Sequence, residues 1–390
     1  MVQKSALSPS RITLHHGDCI EVMRGMADAS VDAVVTDPPY HLGPMARRLA
    51  SADADDIERN FTKKVPGQGV SPYQKMARGF MGKQWDGGDI AFRPELWADV
   101  LRVLKPGGHL IAFSGTRTYH RMACAIEDAG FEIRDQIGWL YGSGFPKSHN
   151  LPGGLGTALK PAWEPIVLAR KPLIGTVAAN VAAHGTGALN IDGCRIEAGD
   201  GDYDHPGNLA KRPMARNSFQ AAINGDLKVT QAPPNPAGRW PANVTHDGSD
   251  EVLEAFGAFG DRGAAAPVRG TEPSAAIKNA YNDRARVPGA FHGDTGTAAR
   301  FFFSAKASRE ERGEGNTHPT VKPLALMQWL CRLVTPPGGT VLDPFAGSGS
   351  TLIAADREGF NAIGIEREAE YCEIARRRLS TDAPLFAEVA

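Results

Sequence analysis

"VLDPFAGSGST", residues 341–351, predicts the end of a strand, a glycine-rich turn and the start of a helix. Gly347 and Gly349 in such a turn let a ligand approach the backbone closely, above the N-terminus of the helix. No Lys follows the last glycine and a third glycine is absent. The stretch is therefore neither a P-loop nor a full dinucleotide fingerprint.

The next predicted strand, "NAIGIE", ends in Glu366. An acid at this point of a nucleoside-binding sheet holds ribose hydroxyls. A nucleoside without a pyrophosphate fits the incomplete glycine pattern better than NAD does, and S-adenosyl-L-methionine is such a ligand. The alternative that needs no ligand is a tight strand–helix turn beside a surface glutamate.

Strand and helix signals alternate on both sides of residues 186–312, a segment rich in Gly, Pro, Asn and Ala. Such alternation indicates an α/β fold with a doubly wound, mostly parallel sheet. We predict that residues 1–185 and 313–390 form this sheet together. Residues 186–312 are then an irregular insertion, and residues 44–90 a long loop, which in a compact domain is usually functional.

Composition excludes several classes of protein. The 390 residues are 42% hydrophobic and 22% charged, which is typical of a globular enzyme. The net charge of −1 means that nucleic acid must be bound by a local patch. No apolar stretch suits a membrane span or a signal peptide. The five scattered cysteines argue against a disulfide frame or a metal site, so we expect a cytoplasmic protein with reduced thiols.

A second strand, in "VVTDPPY" (residues 34–40), ends in an acid and two prolines. The prolines fix the direction of the Pro38 carbonyl. Asp37 and that carbonyl can each accept one N–H of an exocyclic amino group, which turns the nitrogen lone pair towards an incoming methyl group. Tyr40 can stack on the base for about 1–3 kcal/mol, which offsets part of the cost of flipping it out of a duplex. A plain turn or a cis-proline is the alternative.

The motifs "TDPPY", "LDPFAGSGST" and "HPTVKP" (residues 318–323), in this order, resemble those of the β-type amino-methylating DNA methyltransferases. The stretch "GRWPANV" (residues 238–244) resembles segments of phage-like members of that group. The resemblance implies a methyltransferase fold dependent on S-adenosyl-L-methionine, with the catalytic motif first and the cofactor loop last. Because Asp37 must then face the cofactor at Gly347, and each lies at the carboxyl end of a strand, we expect the two motif strands to be neighbours in one sheet. It makes residues 186–312 the target-recognition region. Residues 44–90 are then a DNA-facing loop or a solvated lid.

The same resemblance implies roles for individual residues. The implied catalytic residues are Asp37, Pro38, Pro39 and Tyr40. The implied cofactor-binding residues are Asp18, Cys19, Asp37, Thr320, Lys322, Asp343, Phe345, Gly347, Gly349, Ser350 and Glu366. Asp18 would lie near the adenine of the cofactor, and Thr320 and Lys322 near its methionine carboxylate. A plain surface lysine at a helix N-terminus is the alternative for Lys322.

Residues 205–312 hold fourteen Lys plus Arg against eleven Asp plus Glu, a modest basic surplus. Arginines there are candidates for contacts with phosphates or guanine edges. For the aromatic run in "ARFFFSA" (residues 299–305) a buried strand is preferred over a role in DNA binding.

The function predicted is transfer of a methyl group from S-adenosyl-L-methionine to N6 of a flipped-out adenine in double-stranded DNA. Cytosine N4 is the alternative with the same machinery; Asp before Pro-Pro-Tyr, which the family associates mainly with adenine, favours N6. A nucleotide-dependent oxidoreductase leaves "DPPY" without a use, and intact motifs argue against a non-catalytic DNA-binding protein. A homodimer and a cognate restriction endonuclease stay open as partners.

Overall fold

The structure is a computed structural model, and it describes residues 12–40, 89–144, 150–197, 238–261, 295–305, 316–318 and 321–382. Thr320, nearly all of the predicted loop 44–90 and most of residues 205–312 lie outside these ranges. The chain divides into two compact units. The first comprises residues 1–193, 243–249 and 304–390, and the second comprises residues 194–242 and 250–303.

The described residues form a nine-stranded sheet and a separate two-stranded pair. The strands are β1 (Ile12–His16), β2 (Val31–Thr36), β3 (Leu104–Phe113), β4 (Glu132–Leu140), β5 (Asn150–Leu151), β6 (Leu155–Gly156), β7 (Trp163–Arg170), β8 (Val244–His246), β9 (Phe303–Ser304), β10 (Thr340–Asp343) and β11 (Asn361–Glu366). The large sheet has the order β1-β11-β10-β2-β3-β7-β4-β8-β9, and β5 pairs with β6. β7 runs antiparallel to both of its neighbours, β3 and β4. The pairs β1–β11, β11–β10, β10–β2, β2–β3 and β4–β8 are parallel.

Helices alternate with the strands, as the sequence predicts. They are α1 (Cys19–Arg24), α2 (Pro94–Val103), α3 (Tyr119–Asp128), α4 (Val177–His184), α5 (Asp250–Gly257), α6 (Leu324–Val334), α7 (Ser350–Arg357) and α8 (Ala369–Asp382). α1 begins where the Asp18 carboxylate accepts from the backbone N–H groups of Ile20 and Glu21. Among the described residues, no helix combines the length and apolar character that a membrane crossing needs.

The core lies around β2, whose six residues are all buried. A strand buried on both faces reads as a nearly continuous apolar run, as "VDAVVT" does. Trp97 of α2 packs in this core with Met122 and Ile126 of α3. The Trp97 indole N–H donates to the Ala91 carbonyl at 2.9 Å, so its one polar group is satisfied.

β2 and β10 are neighbours, which confirms the prediction that the two motif strands adjoin. They run parallel, with Val341 opposite Ala33 and Leu342 opposite Val34. The chain continues from β2 to β3 on one side of this pair and from β10 to β11 on the other. The strand order therefore reverses between β2 and β10, and ligands of open α/β sheets bind beside the carboxyl ends at such a point.

The prediction of a buried strand at residues 299–305 is wrong. Residues 298–301 form a 3₁₀ turn, only Phe303 and Ser304 are in a strand, and Phe301 is 41% exposed. The guanidinium groups of Arg239 and Arg300 lie 5.2 Å and 4.4 Å from the centre of the Phe301 ring. Contact with two cations stabilises an aromatic ring that stays partly in solvent.

The sequence "FRPELWADVLRVLKPGG" (residues 92–108) predicts an amphipathic helix closed by Pro-Gly-Gly, and the structure differs. α2 ends at Val103, and Leu104 already pairs with β2. The register with β2 shifts between Val31 and Ala33. The proline and the glycines therefore lie where the strand is irregular, which is where such residues are tolerated in a sheet.

Candidate active site

Asp343, the last residue of β10, connects the two motifs by hydrogen bonds. Its Oδ1 accepts from the Thr36 hydroxyl at 2.7 Å and from the Phe345 backbone N–H at 3.0 Å. Its Oδ2 accepts from the Thr351 hydroxyl at 2.5 Å. Burial raises the pKa of this carboxyl to about 6, although the three hydrogen bonds oppose the rise. One buried acid therefore holds the end of β2, which leads into Asp37, and the first turn of α7.

Glu366, the last residue of β11, organises the glycine turn. Its Oε2 accepts from the backbone N–H of Gly347 at 2.8 Å, and its Oε1 accepts from that of Glu368 at 2.7 Å. Burial raises the pKa of the Glu366 carboxyl, against the effect of these N–H groups. The acid that the sequence assigns to ribose thus lies directly beside the glycine turn.

The glycine turn depends on its glycines. Gly347 and Gly349 have φ values of 50° and 82°, in the left-handed region. A Cβ at Gly347 would lie 2.9 Å from Nε2 of His318, and a Cβ at Gly349 would lie 3.1 Å from Cβ of Ala375. Only glycine follows this path without strain.

Arg378 of α8 binds the same turn. Its Nη1 donates to the Ser348 carbonyl at 2.6 Å and to the hydroxyls of Ser348 and Ser350 at 2.9 Å and 3.2 Å. Because Arg378 is buried, these charge-assisted hydrogen bonds hold the predicted cofactor residue Ser350 at the start of α7. Sequence reasoning missed Arg378, which stands in the arginine run "ARRRL" of an amphipathic helix.

Asp18 and Cys19 lie where α1 begins. The backbone N–H of Gly17 donates to the Glu366 carbonyl at 2.9 Å, so this segment adjoins the end of β11. The Asp18 carboxylate caps α1. Burial raises the pKa of the Cys19 thiol to about 12, which keeps it neutral near pH 7. Thr320 is outside the described residues.

The "DPPY" segment continues from β2, and Pro38 in this segment is buried. Pro39 beside it is partly buried. The Tyr40 hydroxyl donates to Asp37 Oδ1 at 2.6 Å, and the Tyr40 carbonyl accepts from the Thr118 hydroxyl at 3.0 Å. Burial, followed by the charges of Asp37 and Glu164, raises the pKa of the Tyr40 phenol well above its usual value. Tyr40 is therefore a neutral phenol that hydrogen-bonds to the acid.

Lys322 is only 7% exposed, so the surface-lysine alternative is wrong. Its Nζ lies 2.9 Å from the Tyr40 hydroxyl, 2.9 Å from Glu164 Oε2 and 3.0 Å from Asp37 Oδ2. Burial lowers the pKa of the Lys322 ammonium, but the charges of Asp37 and Glu164 outweigh burial and raise it above its usual value. The structure thus brings a permanent cation to "DPPY". An approach of Lys322 to a methionine carboxylate stays a prediction.

Glu164 of β7 is a second residue that sequence reasoning missed. Its Oε2 also lies 3.1 Å from the Tyr40 hydroxyl. β7 is antiparallel to β3, so the start of β7 lies beside the carboxyl end of β3. A charged residue at the start of the apolar strand "EPIVLA" is the signal that was available in the sequence.

The arrangement combines two kinds of chemistry at neighbouring strand ends. The glycine turn lets a ligand approach its backbone closely. The Glu366 carboxylate beside the turn suits a ligand with two adjacent hydroxyl groups. The "DPPY" segment offers hydrogen-bond acceptors, the carboxylate of Asp37 and the carbonyl of Pro38, beside the aromatic ring of Tyr40. Two hydrogen-bond acceptors beside an aromatic ring can bind a planar base that carries an amino group.

Comparisons with known proteins agree with this geometry. A profile of the N6/N4 DNA methylase family matches residues 31–377. The type II methyltransferase M2.DpnII of Streptococcus pneumoniae is 46% identical over 65 residues, which are 17% of this chain and 24% of that protein. The chain spans about a quarter of the length of the curated relatives it matches, 24% and 28%.

Solved structures of DNA-modifying enzymes are also similar to this chain. The PvuII DNA methyltransferase, described as cytosine-N4-specific, is 15% identical with a TM-score of 0.45, over 95% of this chain and 87% of that chain. M1.HpyAVI in complex with SAM is 18% identical with a TM-score of 0.42, over 94% of this chain and 98% of that chain. The family match extends over both the "DPPY" strand and the glycine turn.

Proposed function

The chain belongs to the N6/N4 DNA methylase family, and we propose that it transfers a methyl group from S-adenosyl-L-methionine to the exocyclic N6 of a flipped-out adenine in double-stranded DNA. The observation that carries the proposal is the pairing of β2 with β10. This pairing supports the proposal because the strand that leads into Asp37 lies beside the strand that leads into the turn around Gly347.

The residues present fit S-adenosyl-L-methionine. The glycine turn has no room for a Cβ at Gly347 or Gly349, and it lies beside the carboxylate of Glu366 at the end of β11. This combination suits a nucleoside whose ribose hydroxyls hydrogen-bond to an acid. We assign Glu366, Gly347 and Gly349 to this ligand, with Asp18, Cys19, Asp343, Phe345 and Ser350 around it. When bound, the cofactor supplies an electrophilic methyl group.

Asp37 and Pro38 act on the amino group of the base. Its nitrogen lone pair is delocalised into the ring, so the nitrogen is a poor nucleophile until both N–H bonds are oriented. Asp37 accepts one N–H and the Pro38 carbonyl accepts the other, while Pro39 keeps the segment rigid. Tyr40 stacks on the base. Holding the two reactants in line can contribute up to about 7–11 kcal/mol.

Adenine N6 is the proposed target because the acceptor before Pro38 is an aspartate. A carboxylate is a stronger acceptor than the serine hydroxyl that the family associates mainly with cytosine N4. The larger purine also gains more from stacking on Tyr40. Mass spectrometry of nucleosides from DNA treated with the protein and S-adenosyl-L-methionine tests this choice. N6-methyladenine is expected; N4-methylcytosine alone would move the target to cytosine, and no methylated base would reject the function.

Target choice is assigned to the region 186–312, and DNA is the partner that the function requires. Action in the cytoplasm, a homodimer and a cognate restriction endonuclease are consistent with this function. Sequencing of modified DNA from cells that express the chain would identify the recognition site. Methylation spread over all adenines would contradict site-specific action.

A further inference from the structure

Asp37, Tyr40, Glu164 and Lys322 form a buried group that we term the Lys322 cluster. A lysine ammonium has three N–H bonds. In this cluster its nitrogen has three acceptors within 3.0 Å, which are the Tyr40 hydroxyl, Glu164 Oε2 and Asp37 Oδ2. The donors of Lys322 are therefore matched by the protein itself, which differs from a lysine kept for a cofactor carboxylate.

The cluster joins three separate parts of the fold. Asp37 and Tyr40 follow β2, Lys322 precedes α6, and Glu164 lies in β7. Glu164 is opposite Trp139 in the β4–β7 ladder, so its backbone is part of the sheet. Because Glu164 stands on a strand whereas the "DPPY" segment is irregular, Glu164 is the fixed end of the cluster.

Charge makes Glu164 and Lys322 depend on each other. Two carboxylate oxygens, one from Glu164 and one from Asp37, lie within 3.0 Å of a single ammonium nitrogen. The nitrogen also lies 4.7 Å from the centre of the buried Phe113 ring, and Lys322 itself is buried. Without Glu164, Asp37 would be the one counter-charge left to Lys322 among the described residues, and the ammonium would lose its contact with β7.

The geometry points to a positioning role: Glu164, acting through Lys322, holds the Asp37 carboxylate in the orientation that accepts the amino group of the target base. An ionised carboxylate has about four acceptor positions. Tyr40 uses one on Oδ1 and Lys322 uses one on Oδ2. Both oxygens are thereby fixed while acceptor positions stay available for the base. This inference rests on the proposed function and assigns Lys322 to the base rather than to the cofactor.

The test compares Glu164→Gln, Lys322→Met and the double variant with the wild type. Single-turnover methyl transfer to DNA and the Kd for S-adenosyl-L-methionine, by calorimetry, are measured for each. Both single variants should keep the wild-type Kd and lose on the order of 10- to 100-fold in rate, since misplacement of a reacting group by about 1 Å can cost 100-fold. The double variant should be no slower than Lys322→Met, because Glu164 is proposed to act through Lys322. A slower double variant would contradict this and assign part of the effect to the 3.1 Å contact between Glu164 and the Tyr40 hydroxyl.

Glu358→Gln is the matched control. Glu358 forms a part-buried ion pair with Arg332 at 2.6 Å, and it lies in neither the cluster nor the glycine turn. This variant should keep both the rate and the Kd. It measures what the loss of one part-buried carboxylate does to activity through stability alone.

Distinct results overturn the inference and the proposed function. A wild-type protein that methylates no DNA rejects the function, and the inference with it. An active wild type with an equally fast Glu164→Gln variant rejects the inference alone. A weaker Kd in Lys322→Met, with the rate preserved at saturating cofactor, would return Lys322 to the cofactor site. If Lys322→Met does not fold, Glu164→Gln decides, since it changes one carboxylate oxygen to an amide nitrogen.

Discussion

Replacement of Asp343 by asparagine should make the protein more stable and less able to bind its cofactor. The Asp343 side chain is 2% exposed, and burial raises its pKa from 3.8 to about 6. A carboxyl whose pKa rises on folding is harder to ionise in the folded state than in the unfolded state. At neutral pH the ionised acid therefore lowers the free energy of unfolding.

The size of this cost follows from the shift. One pKa unit corresponds to about 1.4 kcal/mol, so a rise of roughly two units costs about 3 kcal/mol when the acid is ionised in both states. Because the folded state holds the proton more tightly, the cost is absent well below pH 4. It develops as the pH rises through about 4 to 6 and is complete above pH 7. About half of it is present at pH 5.

Asparagine removes the charge and can retain most of the hydrogen bonds. Its amide oxygen can accept from Thr36 and Phe345 in place of Oδ1. Its amide nitrogen can donate to the Thr351 hydroxyl, which is able to accept as well as donate. We expect Asp343→Asn to raise the free energy of unfolding at pH 8 by about 1–3 kcal/mol, and by about half as much at pH 5.

Urea unfolding at pH 5, 6, 7 and 8 measures this difference, with Asp28→Asn as the control. Asp28 pairs with Arg102 at 2.7 Å but is 77% exposed, so its loss should change stability little at any of these pH values. Cofactor Kd at pH 8 should rise for Asp343→Asn, because an anion is lost beside a cationic ligand. A less stable Asp343→Asn at pH 8, or a stability difference that does not change with pH, would refute the reasoning.

Three further predictions follow from the same site. Asp37→Ala should abolish methyl transfer and leave the cofactor Kd nearly unchanged, since Asp37 acts mainly on the base; calorimetry beside a tritium-transfer assay tests this, and retained turnover removes Asp37 from the mechanism. Gly347→Ala should weaken cofactor binding, because its Cβ would meet His318, whereas Gly338→Ala should not, since Gly338 also has a positive φ (70°) but no atom lies within 4 Å of its Cβ; equal Kd values would contradict the assignment of the glycine turn to the cofactor. Glu366→Ala should weaken cofactor binding by about 1.5–3 kcal/mol through lost charge-assisted hydrogen bonds; an unchanged Kd would exclude Glu366 from the ribose.

The fold could be predicted because its signals are local. The strand, turn and helix at residues 340–357 are specified by an apolar run, two glycines and a helical pattern within eighteen positions. The adjacency of β2 and β10 followed from the rule that ligands bind at the reversal of strand order. The irregular part of β3 at Gly107 and Gly108 could not be foreseen. It arises from a shift of register against β2, which lies far away in sequence.

The Lys322 cluster shows where sequence reasoning stops. Lys322 is 282 residues from Tyr40 and 158 residues from Glu164. The pattern around "VKP" is equally compatible with a surface lysine. Only the tertiary fold supplies the two carboxylates that offset the energetic cost of burying the Lys322 ammonium. A buried charge requires partners, and those partners cannot be read from the residues next to it.

The hydrogen bond between the Thr36 hydroxyl and the Asp343 carboxylate joins the two motifs across 307 residues of sequence. Thr36 immediately precedes the acid that is proposed to bind the base, and Asp343 immediately precedes the turn that is proposed to bind the cofactor. A displacement of either strand end would break a hydrogen bond to a buried, partly desolvated carboxylate, which is costly. We therefore expect the sheet and this hydrogen bond to fix the relative position of the two proposed binding segments before either ligand binds.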